Sequence, residues 1–252
     1  MGMKNDTTHS GLTAHCGQLL HFTSEDNMQY FPAGALLVDN QQGTVVACGD
    51  AAELLPFYPQ AEVCEYANAL IMPGLIDTHI HFPQVDVIAS YGEQLLEWLD
   101  NYTFPTEAGF SDHDMAESTA EFFLQELLKN GTTTAAVYGS VHASAADAFF
   151  KVSYRHNTRM IMGKSMMDRN TPDSLTETTE QSLRDTHDLI SYWHNNGRQL
   201  YAATLRFVVT STAQQMDDIR SLMNDYPDLY MQTHLAENTS ELALVKSLFP
   251  DS

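Results

Sequence analysis

From Ala69 onward, apolar strand-like runs alternate with helical stretches, and this alternation limits the fold more than any other feature of the chain. The runs cover residues 70–81, 132–139, 159–167, 201–210 and 230–234. Helices are expected over 114–129, 143–154, 174–195, 213–225 and 240–248. Near-continuous apolar strands separated by helices build a parallel sheet covered on its outer face. The expectation is an α/β fold of the (β/α) barrel kind with about five βα units. Ser111 with Asp114 has the spacing of a capping box at the first helix, and Gly131 and Gly197 stand where helices end.

Before Ala69 the signals differ. GQLLHF, GALLVD and TVVACG are short strand-like runs, and Asn40-Gln41-Gln42-Gly43 makes a hairpin turn between the last two. The expected organisation is a small β subdomain over 1–70 and the barrel over 71–252. Residues 1–10 are polar and expected to fray. The one long connection, 82–112, has the length of a functional lid.

Composition narrows the function classes. With 43% hydrophobic residues in 252, the chain builds a sizeable core. It carries 33 acidic against 12 basic residues, a formal charge of -21. Such a surface repels nucleic acid and anionic membranes, so neither is an expected partner. Cys16, Cys48 and Cys64 show no Cys-x-x-Cys spacing, which points to a reduced cytoplasmic setting. The N-terminus lacks the apolar core of a signal peptide, and no apolar run approaches the ~18 residues of a membrane span.

The chemistry starts at Pro-Gly-Leu-Ile-Asp-Thr-His-Ile-His, 73–81. Residues two apart on a strand share a face, so His79 and His81 project together from one strand end. Two imidazoles held this way form a bidentate metal clip. His234 stands at the C-terminal end of the fifth run, and in barrels that end is the catalytic face. Three histidines from two strands match a catalytic zinc site that keeps one position open for water. Glu237, three residues on, is placed to take a proton from that water; its plainer reading is an acidic residue at a helix N-terminus. Arg206 lies inside the apolar run ATLRFVV and needs a partner at the strand end, either a ligand or an acidic side chain.

Several stretches resemble the amidohydrolase superfamily, and within it the guanine deaminases. PGLIDTHIH and THLAEN are similar to the two zinc motifs. HFPQ (81–84), LLEWLDNYTFPTE (95–107), KNGTTTA (129–135), GKSMMDRN (163–170) and LRF (205–207) are similar to stretches of the guanine deaminases. The lid segment 95–107 is the most specific of these. The resemblance implies a zinc enzyme that hydrolyses guanine to xanthine and ammonia. His79, His81 and His234 would bind zinc, with His234 and Glu237 catalytic and Glu237 the general acid/base. Gln84, Arg206 and Phe207 would bind the purine, with Arg206 reaching the guanine carbonyl oxygen. From the residues alone, Gln84 also reads as an exposed loop amide and Phe207 as core, while Trp98 and Phe104 read equally as lid lining or packing. The alternative is a barrel aminohydrolase for a pterin, triazine or modified purine. The resemblance further implies a homodimer for the full-length form.

The fourth run, YAATLRFVVT, has no lysine to be carboxylated between two metals, which favours a single zinc; Lys164 on the third run is the remaining candidate. The cytidine-deaminase pattern, His-x-Glu with Pro-Cys-x-x-Cys, does not occur. The superfamily barrel has eight strands, with a further site histidine on the sixth and an aspartate on the eighth. Neither position falls within residues 1–252. Residues 1–252 alone are therefore expected to turn over negligibly, as a truncated fragment or as one part of an assembly that supplies the other strands.

Overall fold

The structure, a computed structural model, describes residues 11–92 and 94–250. The chain divides into two compact units between Pro73 and Gly74. Residues 1–10, expected to fray, lie outside the described residues.

The first unit is a four-stranded sheet of β1 (Leu12–Ser24), β2 (Asn27–Asp39), β3 (Thr44–Asp50) and β4 (Glu62–Ile71), in the order β3-β2-β1-β4. β2 is antiparallel to both β1 and β3, and β4 runs parallel to β1. The expected hairpin turn forms between β2 and β3. Asp39 accepts the backbone N–H groups of Gln41 and Gln42 at 2.8 and 3.0 Å, and Gly43 takes φ +64°. Ala14, Cys16, Ala35 and Leu37 form its small core.

The run 70–81 is not one strand. Its first residues end β4, and a new strand, β5 (Leu75–His81), starts the second unit. The break has a local cause. Pro73 cannot donate to a ladder, and a Cβ at Gly74 would stand 2.0 Å from Thr133 Oγ1. β4 itself carries no clean alternation, and Asn68 interrupts it at φ +63°.

In the second unit, β5 is followed by β6 (Thr132–Tyr138), β7 (Arg159–Gly163), β8 (Ser165–Met166), β9 (Leu200–Phe207) and β10 (Tyr230–His234). All pairs are parallel, in the order β10-β9-β7-β6-β5, with β8 beside β9. Among the described residues the five long helices are α1 (His113–Lys129), α2 (Ala143–Arg155), α3 (Thr179–Trp193), α4 (Ala213–Asp225) and α5 (Thr239–Leu248). The main core joins sheet to helices through Phe82, Phe149, Phe150, Met160, Met162, Trp193 and Tyr201. Every residue of β9 is buried, as a central parallel strand requires.

Local details correct the sequence reading. Asp112, not Ser111, caps α1, accepting from Asp114 N and Met115 N. The expected helix 174–195 is a 3-10 turn, Asp173–Leu175, then α3 with Thr178 as its cap. The fourth run stops as strand at Phe207, and Val208–Thr210 forms a 3-10 turn. The long connection is mostly helical: a 3-10 turn at Phe82–Val87, a helix at Leu95–Trp98, a π-turn at Leu99–Thr103 and a helix at Phe104–Ala108. A second cluster, with Leu99, Phe104, Val141, Met167, Leu175, Phe207 and Val209, pins it down.

The sheet is strongly curled. β5 and β10 lie four strand steps apart, which is about 19 Å in a flat sheet. Yet His81 Nε2 and His234 Nε2 are 3.1 Å apart, and Gln232 on β10 donates to the Val137 carbonyl on β6 at 2.9 Å. The curl turns the C-terminal ends of both outer strands toward one point.

Candidate active site

His79 and His81 leave the end of β5 on the same face, as the spacing predicts. Asp77 Oδ1 accepts the His79 backbone N–H at 3.0 Å and steadies the strand end. His234 closes β10 and meets both, with its Nε2 3.1 Å from His81 Nε2 and 3.3 Å from His79 Nε2. Tyr138 supports the group. It pairs in register with His81 and stacks on it with centroids 4.6 Å apart, and its ring lies 4.3 Å from that of His234. Burial pushes the Tyr138 hydroxyl up to about 12, so it stays protonated.

Donors and acceptors alternate along one chain through the site. Gln84 Nε2 lies 3.1 Å from both Glu107 Oε1 and His81 Nδ1. His81 Nε2 faces His234 Nε2, and His234 Nδ1 donates to the Arg206 carbonyl at 2.7 Å. That last bond fixes the His234 tautomer and leaves Nε2 as the lone-pair nitrogen. Burial, then the Arg206 and histidine charges, hold the His81 imidazole well below its ordinary value. Burial likewise lowers His234 to about 4. Both rings are therefore neutral at neutral pH, the form a metal needs.

The donor set fits a metal. The three imidazoles offer ligand nitrogens that all lie within 4.8 Å of one another. Tetrahedral zinc with Zn–N near 2.0–2.1 Å separates its ligand nitrogens by about 3.3 Å. The observed spacings of 3.1 and 3.3 Å match that edge.

Around this cluster one pocket is lined by His79, His81, Gln84, Leu95, Trp98, Leu99, Arg206, Phe207, His234 and Glu237. Of the nine residues picked out in the sequence for the site or its lid wall, all but Phe104 are among them. Phe104 packs in the cluster beneath the lid instead. Partial desolvation, then the neighbouring Glu241 charge, raise the Glu237 carboxyl above its ordinary value. Leu95 and Leu99 are lining residues that the sequence did not single out; they lie on the Trp98 side of a helical turn.

Lys164 takes no part. It is fully buried and donates to Glu177 and Ser182, away from the histidines' pocket, so it is committed to the helix layer. Arg206 does have an acidic partner. Its Nη1 donates to Glu107 Oε1 and Oε2 at 2.9 and 2.8 Å, while the residue also lines the pocket. The acidic-partner reading of Arg206 is realised, and the residue lines the pocket as well. Glu107 was visible in the sequence only as the last residue of the lid stretch.

The amidohydrolase family matches residues 70–252. The chain belongs to that family. Among curated amidohydrolase relatives, guanine deaminase of Escherichia coli (strain K12) is 47% identical over 225 residues, covering 89% of this chain and 51% of the relative. The human guanine deaminase is 36% identical, covering 73% of this chain and 41% of its own length. The structure of guanine deaminase from C. acetobutylicum with bound guanine superposes with a TM-score of 0.88 at 32% identity, covering 96% of this chain and 57% of that one. The chain thus spans about half the length of the curated relatives it matches.

Proposed function

We propose that this chain supplies the guanine pocket and the metal-binding histidines of a hydrolytic deaminase that converts guanine to xanthine and ammonia. The observation that carries the reading is the single pocket in which three metal-type imidazoles, the Glu237 carboxylate and the Gln84–Arg206 donors face one another. The likeness to a guanine deaminase solved with guanine bound supports the choice of heterocycle.

His79, His81 and His234 would hold one zinc ion. Bound there, zinc supplies Lewis acidity, which makes water nucleophilic near neutral pH. Glu237 takes a proton from the attacking water and passes it to the ring nitrogen, then takes the proton of the added hydroxyl and passes it to the departing amine as the carbonyl forms. Its raised pKa suits both halves of that task. Arg206 donates to a purine acceptor, and Gln84, whose amide N–H groups are taken by Glu107 and His81, presents its Oε1 to a purine N–H; together they fix its orientation. Phe207, Trp98, Leu95 and Leu99 form apolar walls on the ring.

The three cysteines are unpaired, which supports a reducing cytoplasmic setting, and no described helix is long and apolar enough to cross a membrane. A homodimer belongs to the same proposal and is read by light scattering. The deciding experiment is a substrate panel on the full-length form that follows ammonia release. Guanine should be preferred; clear preference for a pterin, a triazine or a modified purine overturns the assignment.

A further inference from the structure

Glu107 closes the lid stretch, and none of the chemistry above uses it. Its side chain is 0% exposed, and its partner Arg206 is 2% exposed. An ion pair this deep forfeits the hydration of both charges, and apolar residues of similar size often serve stability as well. The pair therefore points to a role besides stability. Both groups that Glu107 holds, the Arg206 guanidinium and the Gln84 amide, line the pocket, while Glu107 stands behind them and does not. The pocket thus meets N–H donors whose charge is cancelled from outside it. Among the described lining residues, the other charged side chain besides Arg206 is Glu237.

The proposed reaction replaces an exocyclic amine with a carbonyl. The product has a ring N–H between two carbonyls, so it loses a proton more readily than the substrate. Beside an uncompensated guanidinium, with little water between, the product anion would be held more tightly than the neutral substrate.

We propose that Glu107 is a specificity-determining residue: by neutralising Arg206 from behind the pocket, it makes the site select a neutral purine and release an anionic oxopurine. The inference rests on the guanine reading of the site.

The test uses the full-length form loaded with zinc, at a pH where xanthine is ionised and guanine is neutral. Two quantities are measured, the inhibition constant of xanthine and the KM of guanine, in wild type, Glu107→Gln and Glu107→Asp. Glutamine keeps an acceptor for Arg206 but removes the charge, and aspartate keeps the charge. Glu107→Gln should tighten xanthine relative to guanine by about tenfold, the shift expected from one newly exposed charge in a partly desolvated site. Glu107→Asp should retain the wild-type ratio. An unchanged ratio in Glu107→Gln overturns the inference, even if both affinities fall together. Loss of the folded far-UV spectrum in both variants assigns the pair a structural role and also overturns it. A wild-type enzyme that neither binds guanine nor releases ammonia from it takes down the guanine reading itself, and the inference with it.

Discussion

The Glu241 carboxylate accepts the backbone N–H of Glu237 at 2.7 Å and that of Ala236 at 3.2 Å. Asn238 in return accepts the Glu241 N–H at 2.9 Å as the N-cap of α5, while the Glu241 carboxylate reaches back past the cap. Ala236 is held at φ +58°, a conformation that an L residue adopts only under constraint. The helix start therefore fixes where Glu237 stands, and its acidic member also raises the Glu237 carboxyl, second to desolvation.

This relationship predicts a pH effect. A negative neighbour disfavours ionisation of Glu237, so removing its charge must lower the Glu237 pKa. In Glu241→Gln the low-pH limb of kcat/KM should move to lower pH, because the base stays ionised further into acid. A limb that does not move shows that Glu241 only shapes the backbone. Glu241→Ala should in addition lose about 1–3 kcal/mol of stability in urea, since two N–H groups lose their acceptor.

Glu237→Gln separates metal binding from proton transfer. The variant should lose about 10²–10⁴-fold in kcat, the usual share of a general acid/base. Its zinc content by elemental analysis should match wild type, because the three imidazoles are the proposed ligand set. His79→Ala should lose zinc and turnover together. Zinc loss in Glu237→Gln would make Glu237 a ligand and overturn its assigned role.

What was legible in the sequence follows from range. His79 and His81 are two apart on a strand, and that spacing alone fixes their common face. His234 and Glu237 were found because strand ends in parallel α/β folds carry chemistry. The partner of Arg206 was not legible. Glu107 lies 99 residues away among 33 acidic residues, and only packing of the lid on β9 selects it. The break at Met72–Gly74 was hidden because Leu70 and Ile71 continue the apolar pattern of β5 although they pair with β1. The cap of α5, by contrast, has a local signature, Asn238 followed three residues later by Glu241.

The Arg206–Glu107 pair gives a stability prediction. Both side chains are essentially buried, 3% and 0% exposed. Arg206→Ala leaves a carboxylate in the interior that keeps the Gln84 amide as a hydrogen-bond donor but has lost its cation. Breaking one side of a buried pair costs about 3–5 kcal/mol, so the urea midpoint should fall by a corresponding amount. A loss of less than about 1 kcal/mol, the range of exposed pairs, would mean that Glu107 finds solvent in the folded protein.

Gly163 tests how tightly the curl of the sheet is set. It ends β7 against β9, and a Cβ there would lie 1.9 Å from the Ala202 carbonyl and 2.6 Å from Thr204 Oγ1. The Ala202 oxygen is backbone, so the strands themselves must part. Thr204 is the residue through which Gln232 ties β10 to β9, at 2.8 Å, and Arg206 follows two residues later on β9. Gly163→Ala should therefore cost about 1–3 kcal/mol of stability, as overpacking does. It should also raise the KM for guanine by displacing Arg206 and His234 together. Gly49 is the control. It lies in β3 with no heavy atom within 4 Å of a built Cβ. Gly49→Ala should stay within about 0.5 kcal/mol of wild type. Equal urea midpoints for the two variants would show that β7 and β9 yield freely, and that close strand contact does not hold the site in register.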